Sequence, residues 1–354
     1  MITLPITHPE VGGLQLANID IANPLTVIQA QAQGQRIGFF DEGWYSVLAD
    51  RGMLPDARQI LLENGCEEAG YVNILQIPRN TDLTYKPTYH RMRLECDRLN
   101  AWLRRTNGEK IVGWGADTAY DADDWFVWDV THDQFRAFAG KEILAFRRKY
   151  GISRIIGDEG HAGLWSLTKG ATDAEKAADR ATIPVTNEAW HTDVWDLARR
   201  MGGGEVTNGT QGLVSEEEMR KDPDQDPFQF LGSACGVFCQ FAVSGGLEGV
   251  TATIRKCIAA ANGIPEYGRI IVLQDDYQRD GGRFLVALAA CLRGVAQQST
   301  RNFRSTWNPN PFVRGAWGRH VKLTWDRAKA VLVGEFENAT ITLDLVARTV
   351  SEAA

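Results

Sequence analysis

From residue 36 to about residue 303, short runs of apolar and β-branched residues alternate with longer segments of helical periodicity, and this alternation constrains the fold more than any other feature of the sequence. The strand candidates are 36–40, 71–77, 111–114, 152–156, 205–208, 236–241, 269–273 and a weaker one near 300–303. The run 125–128 is either a continuation of 111–114 or a separate loop strand. Short, continuously apolar strands separated by amphipathic helices are buried on both faces, which predicts a parallel sheet covered by helices. Eight such units suit a closed (β/α)₈ barrel, and no Gly-x-Gly-x-x-Gly fingerprint of a dinucleotide-binding fold follows the first strand.

The centre of the chain is the most legible part. The aromatic run 125–129 leads into Thr131, His132, Asp133 and Gln134, which read as a capping box. Phe135, Phe138, Ala139, Ile143, Phe146 and Tyr150 then recur at helical spacing until Gly151, where a left-handed cap should stop the helix. The strand 152–156 follows, so the segment reads as a βαβ unit. Other helices are predicted from Pro55 to Asn64, over 89–105, 188–201, 247–261 and 283–294. The charged segments 170–184 and 213–227 read as solvated insertions or small helices. Beyond Trp317 the pattern changes to short strands at 321–325, 330–333 and 340–343, with a turn at 337–339. The expected organisation is an N-terminal extension (1–35), a barrel (36–316) and a small antiparallel β segment (317–354).

Composition narrows the partners. A net charge of −7 gives no general attraction to nucleic acid or to an anionic membrane surface. The longest apolar run, 284–292, is far short of the roughly 20 residues a spanning helix needs. The first ten residues lack a basic segment followed by an apolar one, so no secretory signal is expected and the protein is cytoplasmic or carried in a particle. Six scattered cysteines (Cys66, Cys96, Cys235, Cys239, Cys257, Cys291) without a framework spacing are expected to be reduced thiols.

In a parallel barrel, functional side chains come from the carboxyl ends of the strands. The residues there are acidic: Asp41 and Glu42, Asp129, Asp158 and Glu159, Asp275 and Asp276. Trp44, Trp114, His161, Asn208 and Tyr277 occupy similar positions. Paired carboxylates suit glycoside hydrolysis, one as proton donor and one as nucleophile or base, with aromatic faces holding sugar rings. Asp158, Glu159, Asp275, Asp276 and Asp129 are the candidate catalytic residues. Asp41, Glu42, Trp44, Trp114, His161, Asn208 and Tyr277 are candidate substrate contacts. The same acids can equally cap helices or bind loop amides. Asp158, Glu159 and His161 also carry metal-ligating atoms, but no ligand spacing supports a metal, and neither metal nor cofactor is expected. Trp190, Trp195 and the Phe135, Phe138, Phe146 stripe are assigned to packing.

The run from Asp124 to His132, the helix ending Arg148-Lys-Tyr-Gly151, and Ile155-Ile-Gly-Asp-Glu159 together resemble the central segment of glycoside hydrolase-like TIM-barrel proteins. The tail from Ala330 to Asn338 is similar to the terminal β segment of that family, while Arg154 and Gly157 depart from its more apolar pattern. The resemblance implies a TIM barrel with Asp129, Asp158 and Glu159 as strand-end acids. Two functions are therefore expected: a glycoside hydrolase acting on a poly- or oligosaccharide, or a non-catalytic barrel serving as a structural or glycan-binding component, for example of a virus or phage particle. Carbohydrate is the expected partner in both.

Overall fold

The computed structural model describes residues 24–32, 37–64, 67–78, 86–113, 125–158, 164–202, 205–208, 234–239, 243, 246–263, 270–275, 282–298 and 317–353. Its centre is a parallel α/β sheet in which β1 (Ile37–Phe40), β2 (Glu67–Asn73), β5 (Ile155–Asp158), β6 (Glu205–Asn208), β7 (Ala234–Cys239), β8 (Ile270–Asp275) and β9 (Val295–Gln298) lie side by side in that order. Every adjacent pair is parallel. The order follows the sequence without reversal. The helices between the strands are α1 (Pro24–Ala32), α2 (Glu42–Asp50), α3 (Leu54–Glu63), α4 (Pro87–Leu99), α5 (Asp133–Tyr150), α6 (Asp173–Arg180), α7 (Asn187–Arg200), α8 (Gly246–Gly263) and α9 (Arg283–Cys291).

The predicted βαβ unit needs correction. α5 runs over the expected residues and ends at Gly151 with φ 65°, and Phe135, Ile143, Phe146 and Tyr150 are buried along one stripe. The strand before it, however, is not the sheet neighbour of β5. β4 (Trp125–Val127) pairs antiparallel with β3 (Gln76–Pro78) in a separate two-stranded sheet. The partner of β5 is β2, so the crossover holds the whole segment from β3 to α5. Residues 111–113 belong to this excursion too: Val112 bridges Phe126, and Ile111 donates to Leu103 and accepts from Val127. They form no strand of the parallel sheet. The stretch 71–77 is likewise broken in two, because the Asn73 side chain accepts from Gln76 N at 3.0 Å and turns the chain out of the sheet. The capping residue of α5 is His132, whose Nδ1 accepts from Phe135 N, while the Thr131 hydroxyl donates to Asp129 instead.

Two elements differ from expectation for packing reasons. α2 is buried from Glu42 to Leu48, polar residues included, so no exposed face marks it as a helix in the sequence. β9 follows directly on α9, and its register against β8 aligns Val295 with Val272. A Cβ on Gly294 would lie 2.8 Å from Ile271 Cγ2 and 3.0 Å from Ile271 O, so this tight helix-to-strand turn needs glycine. The strand expected near 300–303 lies outside the described residues, as do residues 213–227. Among the described residues a capping box sits elsewhere, where Thr172 and Glu175 open the exposed α6.

The C-terminal segment is a four-stranded antiparallel sheet: β10 (His320–Asp326), β11 (Val331–Phe336), β12 (Thr340–Asp344) and β13 (Thr349–Ala353). It is not an independent module. Leu332, Ile341, Leu343 and Leu345 share one buried cluster with Phe284, Leu285, Val286 and Leu288 of α9. A helix covered on both sides is apolar all round, which accounts for the sequence of α9. A second cluster joins α2, α3, α5 and α7 to β2 and to β5. Cys96, Cys239, Cys257 and Cys291 are buried free thiols, and the thiols of Cys66 and Cys235 lie outside the description. Among the described residues no helix is long and apolar enough to cross a membrane.

Candidate functional site

Five of the seven parallel strands end on a polar residue. β2 ends on Asn73, β5 on Asp158, β6 on Asn208, β8 on Asp275 and β9 on Gln298, and Asp41 directly follows β1. The register aligns Asn73 with Asp158 and Asp275 with Gln298. In α/β folds this end of the sheet is where ligands bind, because loops and helix N-termini converge there. The backbone thus brings Asp41, Asp158, Asn208 and Asp275 to one end of one sheet. Of the other residues singled out from the sequence, Trp114, Glu159, His161, Asp276 and Tyr277 lie outside the described residues.

The start of α4 fastens the ends of β1 and β2 together. Lys86 Nζ lies 3.0 Å from Asp41 Oδ2, with both side chains almost fully buried. This is an ion pair by distance, and its direction falls outside a well-aligned hydrogen bond. The other oxygen, Asp41 Oδ1, accepts from Trp44 N at 3.0 Å and caps α2. Two residues on, Thr88 N donates to both carboxylate oxygens of Glu42, at 3.0 and 2.9 Å. A negative group there faces the first turn of α4, where unpaired backbone N–H groups and the helix dipole favour it. Burial nevertheless pushes the Glu42 carboxyl up from 4.5 to about 7, against the lowering effect of the Thr88 hydrogen bonds and of Arg91. The next residue, Tyr89, accepts from Asn73 N at 2.6 Å through its hydroxyl.

Trp44 Nε1 and Asn73 Nδ2 are buried donors with no acceptor among the described residues. They sit on residues that are 2% and 0% exposed, one turn into α2 and at the end of β2. Trp44 was expected as a sugar platform, yet its ring packs within the core beside Phe40. Tyr45, its neighbour, is fully buried and donates to Glu68. Trp190, Phe135 and Phe146 are core residues as expected.

Asp129 stands apart from the strand-end row. It follows β4, outside the parallel sheet, and its Oδ1 accepts from both Thr131 N (2.9 Å) and the Thr131 hydroxyl (2.7 Å). That is an Asx turn leading into α5. Lys86, Thr88, Tyr89 and Asn73 were not anticipated from the sequence. The local signals were the polar residues Asn73 and Gln76 inside the run 71–77 and the Lys-Pro step that opens α4. Among the described residues no three His, Cys, Asp or Glu side chains are grouped to hold a metal ion.

No protein-family model and no curated protein matches this sequence. Among solved structures, the chain is similar to TtGalA, an α-galactosidase from Thermus thermophilus, at 12% identity and a TM-score of 0.44, over 80% of this chain and 56% of that one. It is also similar to the glycoside hydrolase domain of PelA from Pseudomonas aeruginosa, at 16% identity and a TM-score of 0.40, over 78% and 89% of the two chains. A GH31 sulfoquinovosidase from E. rectale is similar at 13% identity and a TM-score of 0.40, over 73% and 36%. The chain thus spans little more than half the length of the α-galactosidase.

Proposed function

We propose that this chain is a glycoside hydrolase-like (β/α)₈-barrel protein that cleaves a poly- or oligosaccharide at the carboxyl ends of its parallel strands. The observation that carries the reading is the row of polar residues ending those strands, from Asp41 and Asn73 through Asp158 and Asn208 to Asp275. Strand order supports closure. Parallel crossovers are right-handed almost without exception, so an order that never reverses puts every connecting helix on one face. The other face then stays wet unless the sheet curls onto itself, and a barrel buries it. A doubly wound sheet would reverse at a switch point instead.

In this reading Asp158 and Glu159 supply one catalytic carboxyl and Asp275 or Asp276 the other. Asn208, His161, Trp114 and Tyr277 contact the sugar, and Asp41 with Lys86 lines the same end. Hydroxyl-rich ligands suit such a rim, since each hydroxyl both donates and accepts. One test is the release of reducing ends from a panel of polysaccharides. A structure with a bound oligosaccharide would add the stereochemical course, because carboxylates about 5 to 5.5 Å apart retain configuration and those about 6.5 to 9.5 Å apart invert it.

One observation favours the second reading, a non-catalytic barrel that binds glycan as a structural component, for example of a virus or phage particle. Asp41, Glu42 and Asp129 are each engaged by internal partners, namely Lys86, Thr88 and Thr131. Carboxylates held that way organise a fold without reacting. Saturable binding of a saccharide with no cleavage would select this reading.

A further inference from the structure

Cys239 is the last residue of β7, and Cys257 lies in α8, the helix that follows it. Their sulfurs are 4.0 Å apart, in contact, and the two residues are 1% and 0% exposed. Lys256, next to Cys257 in sequence, is buried and acts electrostatically on both sulfurs. We propose that Cys239 and Cys257 form an oxidisable dithiol, a peroxide-responsive modification site whose disulfide ties the carboxyl end of β7 to α8.

The chemistry follows from the surroundings. Either sulfur can donate in the contact between them, and the contact with Cys257 together with the Lys256 charge holds the Cys239 thiol below its usual range against the effect of burial. Burial pushes the Cys257 thiol up. The proposed step takes Cys239 as the attacking sulfur and Cys257 as the resolving one, and either assignment ends in the same disulfide. The Cys239 thiolate attacks the O–O bond of hydrogen peroxide, becoming a sulfenic acid as one water leaves after protonation. The Cys257 thiol then displaces the second water and the S–S bond forms, so one peroxide is reduced and two thiols are oxidised. Burial excludes bulky oxidants. A cleft of about 350 Å³ between α8, α9 and β10, lined by Cys257, Cys291, Leu292, His320 and Trp325 among others, reaches the Cys257 side of the pair and also Cys291.

Bond formation requires the sulfurs to close from 4.0 Å to about 2.05 Å. Closing this distance draws on side-chain rotation and on the end of β7, whose neighbours β6 and β8 carry Asn208 and Asp275 at the same end of the sheet. That consequence rests on reading the strand ends as the functional face. The crosslink itself is detected by mass and is independent of any glycosidase activity.

The experiment treats the full chain with hydrogen peroxide, blocks residual thiols after unfolding, and digests without reductant. The expected result is a peptide pair joined through Cys239 and Cys257, short of two hydrogens and restored by dithiothreitol. Cys257→Ser should abolish it and leave Cys239 as a sulfenic acid trapped by a dimedone-type reagent. Cys96, a buried thiol that does not line this cleft, serves as the internal control and should stay reduced. The proposal is overturned if the folded chain yields no crosslink, if either cysteine passes directly to sulfinic acid, or if Cys96 oxidises at the same rate.

Discussion

Glu42→Gln should remove a pH dependence of stability whose size follows from one buried carboxyl. In the folded chain this group titrates near 7, and in the unfolded chain near its ordinary 4.5. The folded state therefore holds a proton between these values that the unfolded state has released, and stability falls as pH rises through that window. Below pH 4.5 both states are protonated and nothing is lost. Above 7 the cost is complete, and a difference of 2.5 pKa units corresponds to about 3 kcal/mol at 1.36 kcal/mol per unit. An amide of the same shape keeps an oxygen facing Thr88 N and carries no charge at any pH. Urea unfolding of both proteins between pH 4 and pH 9 reads the effect as a difference, in which the titration of other groups cancels. The variant should gain steadily on the wild type between pH 4.5 and 7, by about 3 kcal/mol in all, and the gap should then stay constant. Parallel stability curves over the whole range would refute the assignment of a buried, proton-holding carboxyl at the start of α2.

Lys86→Met leaves the Asp41 carboxylate buried without its cation and should cost about 3 to 5 kcal/mol in a urea midpoint series, whereas a loss under about 1 kcal/mol would mean that the pair is solvated. Gly334→Val places a side chain where even a Cβ lies 2.5 Å from Cys291 Sγ, and forcing β11 off α9 should cost about 1 to 3 kcal/mol in thermal unfolding. Leu343→Ala, at a fully buried position of the same cluster, should cost about 2 to 5 kcal/mol and lower the melting of the α8–α9 region as well. Separate melting of the C-terminal sheet in that variant would contradict a shared core.

Elements with a strong period were legible in the sequence, and those decided by tertiary context were not. α5 could be read because its apolar stripe and Gly151 both declare themselves locally. The neighbour of β5 could not, because pairing with β2 rather than β4 depends on an excursion of more than seventy residues whose own strands look the same as those of the sheet. α2 stayed hidden because its polar residues Glu42 and Ser46 are buried along with its apolar ones, and Trp44, singled out as a substrate contact, is a core residue. The strand-end acids were legible as a set, since apolar runs closed by Asp or Asn recur through the chain. Their partners were not: Lys86, Thr88 and Tyr89 reach Asp41, Glu42 and Asn73 only through the docking of α4, and a separation of 46 residues between Thr88 and Glu42 leaves no local trace. Asp129 shows the limit of position alone, because the same residue type after a strand also builds an Asx turn.

The most direct test of the central claim compares wild type with Asp158→Asn and Glu159→Gln for release of reducing ends from a polysaccharide that the wild type cleaves, with a thermal melt of each protein alongside. Each change keeps the size of the side chain, so melting should move little, while loss of general acid–base or nucleophilic function should lower the rate by about 10²- to 10⁴-fold for at least one of them. Full activity in both variants would contradict the site. Saturable binding by a wild type that cleaves nothing in the panel would contradict the glycosidase and leave the glycan-binding barrel.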